Sequence, residues 1–99
     1  MRIVPRKFVP MKHLNIRVSG KVQGVFFRAS TKEQADQLGV KGFVRNEHNG
    51  DVNIEAEGDE EKLKIFSDWC KHGPNRARVD SIKIEESELK NFVLFEVRR

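Results

Sequence analysis

Val18-Ser19-Gly20-Lys21-Val22-Gln23-Gly24-Val25-Phe26-Phe27-Arg28 is the stretch on which the fold turns. Ahead of it, His13-Leu14-Asn15-Ile16-Arg17-Val18 alternates with the period of a strand, with Leu14, Ile16 and Val18 on one face. Behind it, Phe27, Thr31, Ala35 and Leu38 recur at helical spacing, and Gly39 supplies a C-terminal stop. Gly20 and Gly24 therefore bracket a short loop that carries the chain from a strand into a helix over 27–38. Backbone N–H groups exposed in such a loop form a concave donor site for an anion. Arg28, in the first helical turn, adds a planar, bidentate grip on phosphate or carboxylate. A cation at a helix N-terminus is otherwise unfavourable by up to about 1 kcal/mol, and a bound anion reverses that penalty.

Outward from this unit the pattern continues as alternating strands and helices. Val40 to Asn46 reads as a second strand, with Val44 and Asn46 on one face and Phe43 and Arg45 on the other. Glu47-His48-Asn49-Gly50-Asp51 reads as a turn, because Asn-Gly between two strand-like runs is a strong hairpin signal. Val52, Ile54 and Ala56 form the core face of a third strand. Asp59 is placed to cap a second helix, Glu60 and Glu61 suit its positive end, and Leu63, Phe66, Trp69 and Cys70 make its apolar stripe. Gly73-Pro74 ends that helix, and Val79 to Ile84 and Asn91 to Val97 read as two last strands. The expected fold class is α+β, a ferredoxin-like βαββαβ sandwich. It places two helices on one face of an antiparallel sheet and adds a short extra C-terminal strand.

Ninety-nine residues make one small domain with one modest core. A net charge of +4 suits an anionic ligand, but Lys and Arg are spread along the chain instead of gathered into one run. The single cysteine, Cys70, forbids an intrachain disulfide and fits a reducing, cytoplasmic setting. No apolar run is long enough to span a membrane. Residues 1–11 are basic with scattered apolar positions, lack the continuous apolar segment of a secretory signal, and read as an extension outside a domain over 12–99. Met11 is a possible alternative start.

The side chains available for chemistry are few. No glycine-rich loop ends in Gly-Lys-Ser/Thr, so there is no Walker motif. His13, His48 and His72 lack metal-ligand spacing, and neither metal nor cofactor is expected. Cys70 reads as core, and no Ser-His or Cys-His nucleophile pattern is present. Asn46, at the end of the second strand, can satisfy turn backbone, or it can accept one hydrogen bond and donate another so as to hold a water in a fixed orientation. An arginine, backbone donors and an asparagine lack an obvious general acid. They suit a substrate whose leaving group is already a stable anion. A carboxylate, with a reference pKa of about 4, is such a group. Phosphoryl transfer passes through a loose transition state, so positioning and charge stabilisation carry most of the catalysis. These residues can therefore hydrolyse a mixed carboxylic-phosphoric anhydride and are ill suited to an ordinary phosphate ester.

Val18 through Arg28 resembles the first signature of the acylphosphatases. Gly42-Phe43-Val44-Arg45-Asn46-Glu47-His48-Asn49-Gly50-Asp51-Val52, running on to Gly58, resembles the second. Gly73-Pro74, Ala77-Arg78-Val79 and the closing Phe95-Glu96-Val97-Arg98 also look like the family, so the resemblance covers about 12–98. It implies that Arg28 is the phosphate-binding catalytic arginine and that Asn46 orients the attacking water. It makes Gly20, Lys21, Val22, Gln23, Gly24 and Val25 the phosphate cradle. The implied reaction is hydrolysis of a small-molecule acyl phosphate to a carboxylate and inorganic phosphate, without metal or covalent phosphoenzyme. Inorganic phosphate or sulfate is expected to compete.

Two other readings differ in class. RNA-recognition domains share the βαββαβ plan, and Lys41-Gly42-Phe43-Val44 echoes part of their aromatic motif. The echo lies on the second strand and not the third, and the chain has no tyrosine, so no nucleic-acid partner is expected. A non-catalytic anion-binding domain, or a carbamoyl-phosphate-handling domain of a larger maturation protein, could use the same fold. The chain ends near its last strand, from which a stand-alone enzyme is expected, and at this size a monomer is the default.

Overall fold

The computed structural model describes residues 9–99. The elements follow one another as β1 (Met11–Lys21), α1 (Phe27–Leu38), β2 (Lys41–Asn46), β3 (Val52–Asp59), α2 (Glu60–Cys70), β4 (Arg78–Ser87) and β5 (Phe95–Arg98). The strands form one sheet in the order β4-β1-β3-β2-β5. Neighbours pair antiparallel except β2 and β5, which run parallel, so the expected antiparallel sheet is mixed at that edge. The two helices cover one face. Ile16, Val18, Val44, Val52, Ile54 and Ala56 of the sheet meet Phe27, Ala35, Leu63, Phe66 and Cys70 of the helices in a single core.

Local signals explain most of these boundaries. Gly39 caps α1 at φ 72°, a left-handed conformation that glycine adopts without steric cost. At the start of α2, Asp59 Oδ1 accepts from the Lys62 N–H at 2.8 Å, with Glu60 and Glu61 in the first turn. Cys70 faces the core, and burial pushes its thiol pKa up, which leaves it inert.

Three boundaries differ from expectation for tertiary reasons. Residues 1–8 of the expected extension lie outside the described residues, while Met11 pairs with Asp59, so the sheet takes in Met11. β4 runs on to Ser87 because the long β1 offers it partners as far as His13. β5 begins at Phe95 and not at Asn91, because the segment before it is bound to a side chain and not to a strand. Glu57 Oε2 accepts from the Lys90 N–H and Glu57 Oε1 from the Phe92 N–H at 2.9 Å, with Asn91 between them at φ 60°.

Glu57 anchors the sheet face that carries no helix. It is 4% exposed, His13 Nδ1 lies 2.7 Å from its Oε2, and Phe92 stacks on the His13 ring at 5.8 Å. Glu55 joins the cluster at 3.1 Å from His13 Nε2 and 2.7 Å from Lys90 Nζ. Burial works against ionisation of Glu57, but the Lys90 N–H, the His13 side chain and the Phe92 N–H more than offset it and hold the carboxyl below its usual range. The fold therefore binds the ionised form. The resulting stability is complete above the unfolded value near 4.5 and is lost as pH falls through the lower folded value.

Glu57→Gln should destabilise the protein by about 3 kcal/mol at pH 7, because its amide nitrogen faces one of the two backbone donors and His13 Nδ1 loses its carboxylate partner. Urea unfolding at pH 7 and pH 4 should show the gap between parent and variant narrowing in acid; equal midpoints at pH 7 would refute this role. The same segment also disposes of the RNA-like echo. Phe43 is buried beneath the Arg98 guanidinium, 4.1 Å from its ring centroid, and the edge of Phe92, so it offers no stacking platform.

Candidate active site

The β1–α1 connection, residues 22–26, is built from buried anchors and left-handed turns. Val22 and Val25 insert into the core. Gly24 at φ 73° and Phe26 at φ 63° flank Val25, whose φ is negative. Alternation of that kind turns successive N–H groups into a concave anion-binding arrangement. Among the described residues, the N–H groups of Gln23 through Phe26 donate to no protein acceptor. Phe26 stands at the N-cap of α1 without a capping oxygen, and the first turn of α1 holds no acidic residue. α2 neutralises its own N-terminus with Asp59, Glu60 and Glu61, whereas α1 leaves its positive end to a ligand. A non-glycine residue held in this conformation costs about 1–2 kcal/mol.

Arg28 lies in that first turn, partly buried, and its Nη1 donates to the Arg98 carbonyl at 2.9 Å. β5 is thus tied to α1, and Lys32 Nζ adds a second tie to the Phe95 carbonyl at 3.0 Å. Arg98 is itself held by its stacking on Phe43. One donor of a five-donor guanidinium is used in this way, and the planar fork keeps the others. Asn46 closes β2 opposite Val52, and its Oδ1 is buried with no hydrogen-bond donor among the described residues. A buried oxygen without a partner costs about 1–3 kcal/mol, so its persistence points to a ligand or a water as its proper partner.

Arg28 and Asn46 meet in a cleft of about 310 Å³ lined by Val22, Gly24, Phe26, Phe27, Arg28, Ala29, Asn46 and Val97. Among the described residues, Arg28 is its sole charged side chain and no carboxylate lines it, which suits an anion. A larger groove of about 790 Å³ is lined from β1, α2 and β4, but it sets three carboxylates, Glu60, Glu61 and Glu86, against two lysines, Lys12 and Lys64, and so suits a phosphate less well.

The predicted cradle residues divide between lining and support. Val22 and Gly24 line the cleft. Gly20 and Lys21 belong to β1, and a Cβ at Gly20 would lie 2.2 Å from the Arg78 carbonyl oxygen, so Gly20 permits the close approach of β4. Val25 is an anchor. Gln23 Nε2 donates to the Glu47 carbonyl at 2.7 Å and the Asp51 carbonyl at 2.9 Å, clamping the loop to both ends of the turn that follows Asn46. Phe26, Phe27, Ala29 and Val97 complete the lining without having been picked out in the sequence. Phe26 to Ala29 follow the loop directly and were within reach of its reading. Val97 arrives only through the parallel pairing of β5 with β2, where it stands beside Val44. No three His, Cys, Asp or Glu side chains gather as a metal site among the described residues.

Comparison with known proteins shows the family. The acylphosphatase family profile matches residues 14–97. An acylphosphatase of Pseudomonas paraeruginosa is 44% identical over 86 residues, covering 87% of this chain and 94% of the relative. One of Marinobacter nauticus is 50% identical over 72 residues, covering 73% and 78%. The solved structure of an acylphosphatase from Coxiella burnetii superposes with a TM-score of 0.86 at 38% identity, over 89% of this chain and 93% of that one. A match across both signatures, both helices and the whole sheet leaves one assignment: the chain belongs to the acylphosphatase family.

Proposed function

We propose that the protein hydrolyses acyl phosphates by direct attack of water, with Arg28 and Asn46 as its catalytic residues. The observation that carries this reading is the pairing, in one cleft, of a lone arginine beside unsatisfied loop N–H groups with a buried asparagine oxygen that has no protein donor. The phosphoryl group sits against the loop N–H groups and the Arg28 guanidinium. Asn46 Oδ1 accepts a hydrogen bond from the attacking water and aims its oxygen at phosphorus. The P–O bond to the carboxylate breaks as the new P–O bond forms, and the proton of the water passes to a phosphate oxygen. The carboxylate leaves without protonation, so no general acid is called for. Charge on the equatorial oxygens is stabilised by donors that are already in place, which is where such sites gain most of their rate.

Inorganic phosphate or sulfate fits the same donors and competes with the substrate. Arg28 and Asn46 meet within a single chain, so the proposed site is complete in a monomer. The buried Cys70, sole cysteine of the chain, suits a reducing, cytoplasmic setting.

Hydrolysis of benzoyl phosphate in excess EDTA tests the reaction. The expected result is turnover unchanged by the chelator and inhibited competitively by phosphate. A protein that binds phosphate but turns nothing over would replace the enzyme reading with an anion-binding domain. Turnover that dies in EDTA and returns with a divalent cation would refute the metal-free step.

A further inference from the structure

We propose that Phe26 receives the acyl portion of the substrate, so that this protein favours acyl phosphates whose acyl group is aromatic or bulky and apolar. The inference rests on the hydrolytic reading above and names its substrate class. Phe26 is held at φ 63° and ψ 23°, a left-handed conformation natural to glycine and asparagine and strained for a large side chain. The residue is 70% exposed, so burial of its side chain does not offset that strain. The cradle needs this left-handed backbone, but glycine would supply it without strain; a large exposed aromatic in its place has no rationale in stability, and such outliers gather where a ligand is met.

The ring stands on the rim of the cleft that holds Arg28 and Asn46. The rim divides by element. Asn46 ends β2, and Val97, also apolar and 44% exposed, lies beside that strand in β5. Phe26 belongs to another part of the lining, the β1–α1 connection at the N-terminus of α1. In an in-line displacement the water and the leaving carboxylate occupy opposite sides of phosphorus. With the water held by Asn46, the acyl group departs on the side of phosphorus away from Asn46, and the exposed Phe26 ring at the cleft mouth is the apolar group proposed to receive it. A phenyl or branched acyl group stacks or packs there, whereas an acetyl methyl offers little area to cover.

The test compares kcat/KM for benzoyl phosphate and acetyl phosphate in the parent, Phe26→Ala and Phe26→Gly, together with each melting temperature. The change in the benzoyl-to-acetyl ratio between parent and variant cancels the intrinsic reactivities of the two compounds. That ratio should fall about fivefold in both variants, which is about 1 kcal/mol at 1.4 kcal/mol per tenfold. Phe26→Gly relieves the backbone and should melt several degrees higher while losing the same discrimination. A role in structure alone would instead move stability and both substrates together. An unchanged ratio in both variants, or an equal loss on both substrates, would overturn the assignment of Phe26 while leaving the hydrolytic reading intact. A parent that hydrolyses neither compound would overturn the hydrolytic reading, and this inference with it.

Discussion

Arg28→Ala is expected to lower kcat/KM for benzoyl phosphate by about 10³-fold or more, the scale found when an arginine that stabilises phosphoryl-transfer charge is removed. That is about 4 kcal/mol of transition-state stabilisation. The loss falls on binding as well as turnover, because the guanidinium is the sole charge lining the cleft. Inhibition by inorganic phosphate should therefore weaken in parallel, and phosphate should cease to raise the melting temperature.

The fold itself should hardly notice the change. The substitution forfeits the bond to the Arg98 carbonyl, about 1 kcal/mol, and removes a cation from the positive end of α1, which returns a similar amount. Steady-state kinetics with a parallel urea titration decides the matter. A variant that keeps more than a tenth of parental activity, or one that loses activity only because it unfolds, would remove Arg28 from the catalytic role.

Asn46→Ala should act on a different quantity. Its partner in the proposed step is the water, so kcat should fall by about 10²- to 10³-fold, the range for deleting one aligned polar group in a preorganised site. The phosphate inhibition constant should stay within about threefold of the parent. Stability should stay within about 1 kcal/mol of the parent, since Oδ1 has no protein donor to lose. Loss of turnover with stability kept marks a residue retained for its chemistry. An equal loss of phosphate affinity would instead make Asn46 a phosphate ligand, and a loss of stability would make it a turn-forming residue. The contrast with Arg28→Ala separates the two roles, one on the charge of the phosphoryl group and one on the nucleophile.

The chemistry of the site was legible in the sequence to the extent that it is local. Gly20 to Arg28 couples a glycine loop to a helix N-terminus within a single supersecondary unit, so its anion-binding character follows from short-range geometry alone. Asn46 was legible as the polar residue at the end of an apolar strand face. What stayed hidden is what sits opposite these residues. Gln23 read as part of the cradle, and its N–H stays there, while its side-chain amide reaches carbonyls 24 and 28 residues away and fixes the loop against the turn after Asn46. Phe26 read as part of a signature, and its exposure and positive φ emerged only in three dimensions.

By itself the sequence determined the order of the elements, the span of α1, the Asp59 cap and the Asn-Gly turn. Each of these depends on period, cap or turn chemistry within a few residues. Tertiary structure alone decided the rest. The parallel docking of β5 beside β2 places Val97 in the cleft and the Arg98 carbonyl on Arg28, 70 residues away along the chain. Glu57 and His13, 44 residues apart, meet because β1 and β3 are neighbours, and together they hold the strap that delays β5 to Phe95. No periodicity records which strand will lie beside which. That outcome is set by how the two helices and five strands bury one shared core, and it is there that the partners of Arg28, Gln23 and Glu57 were chosen.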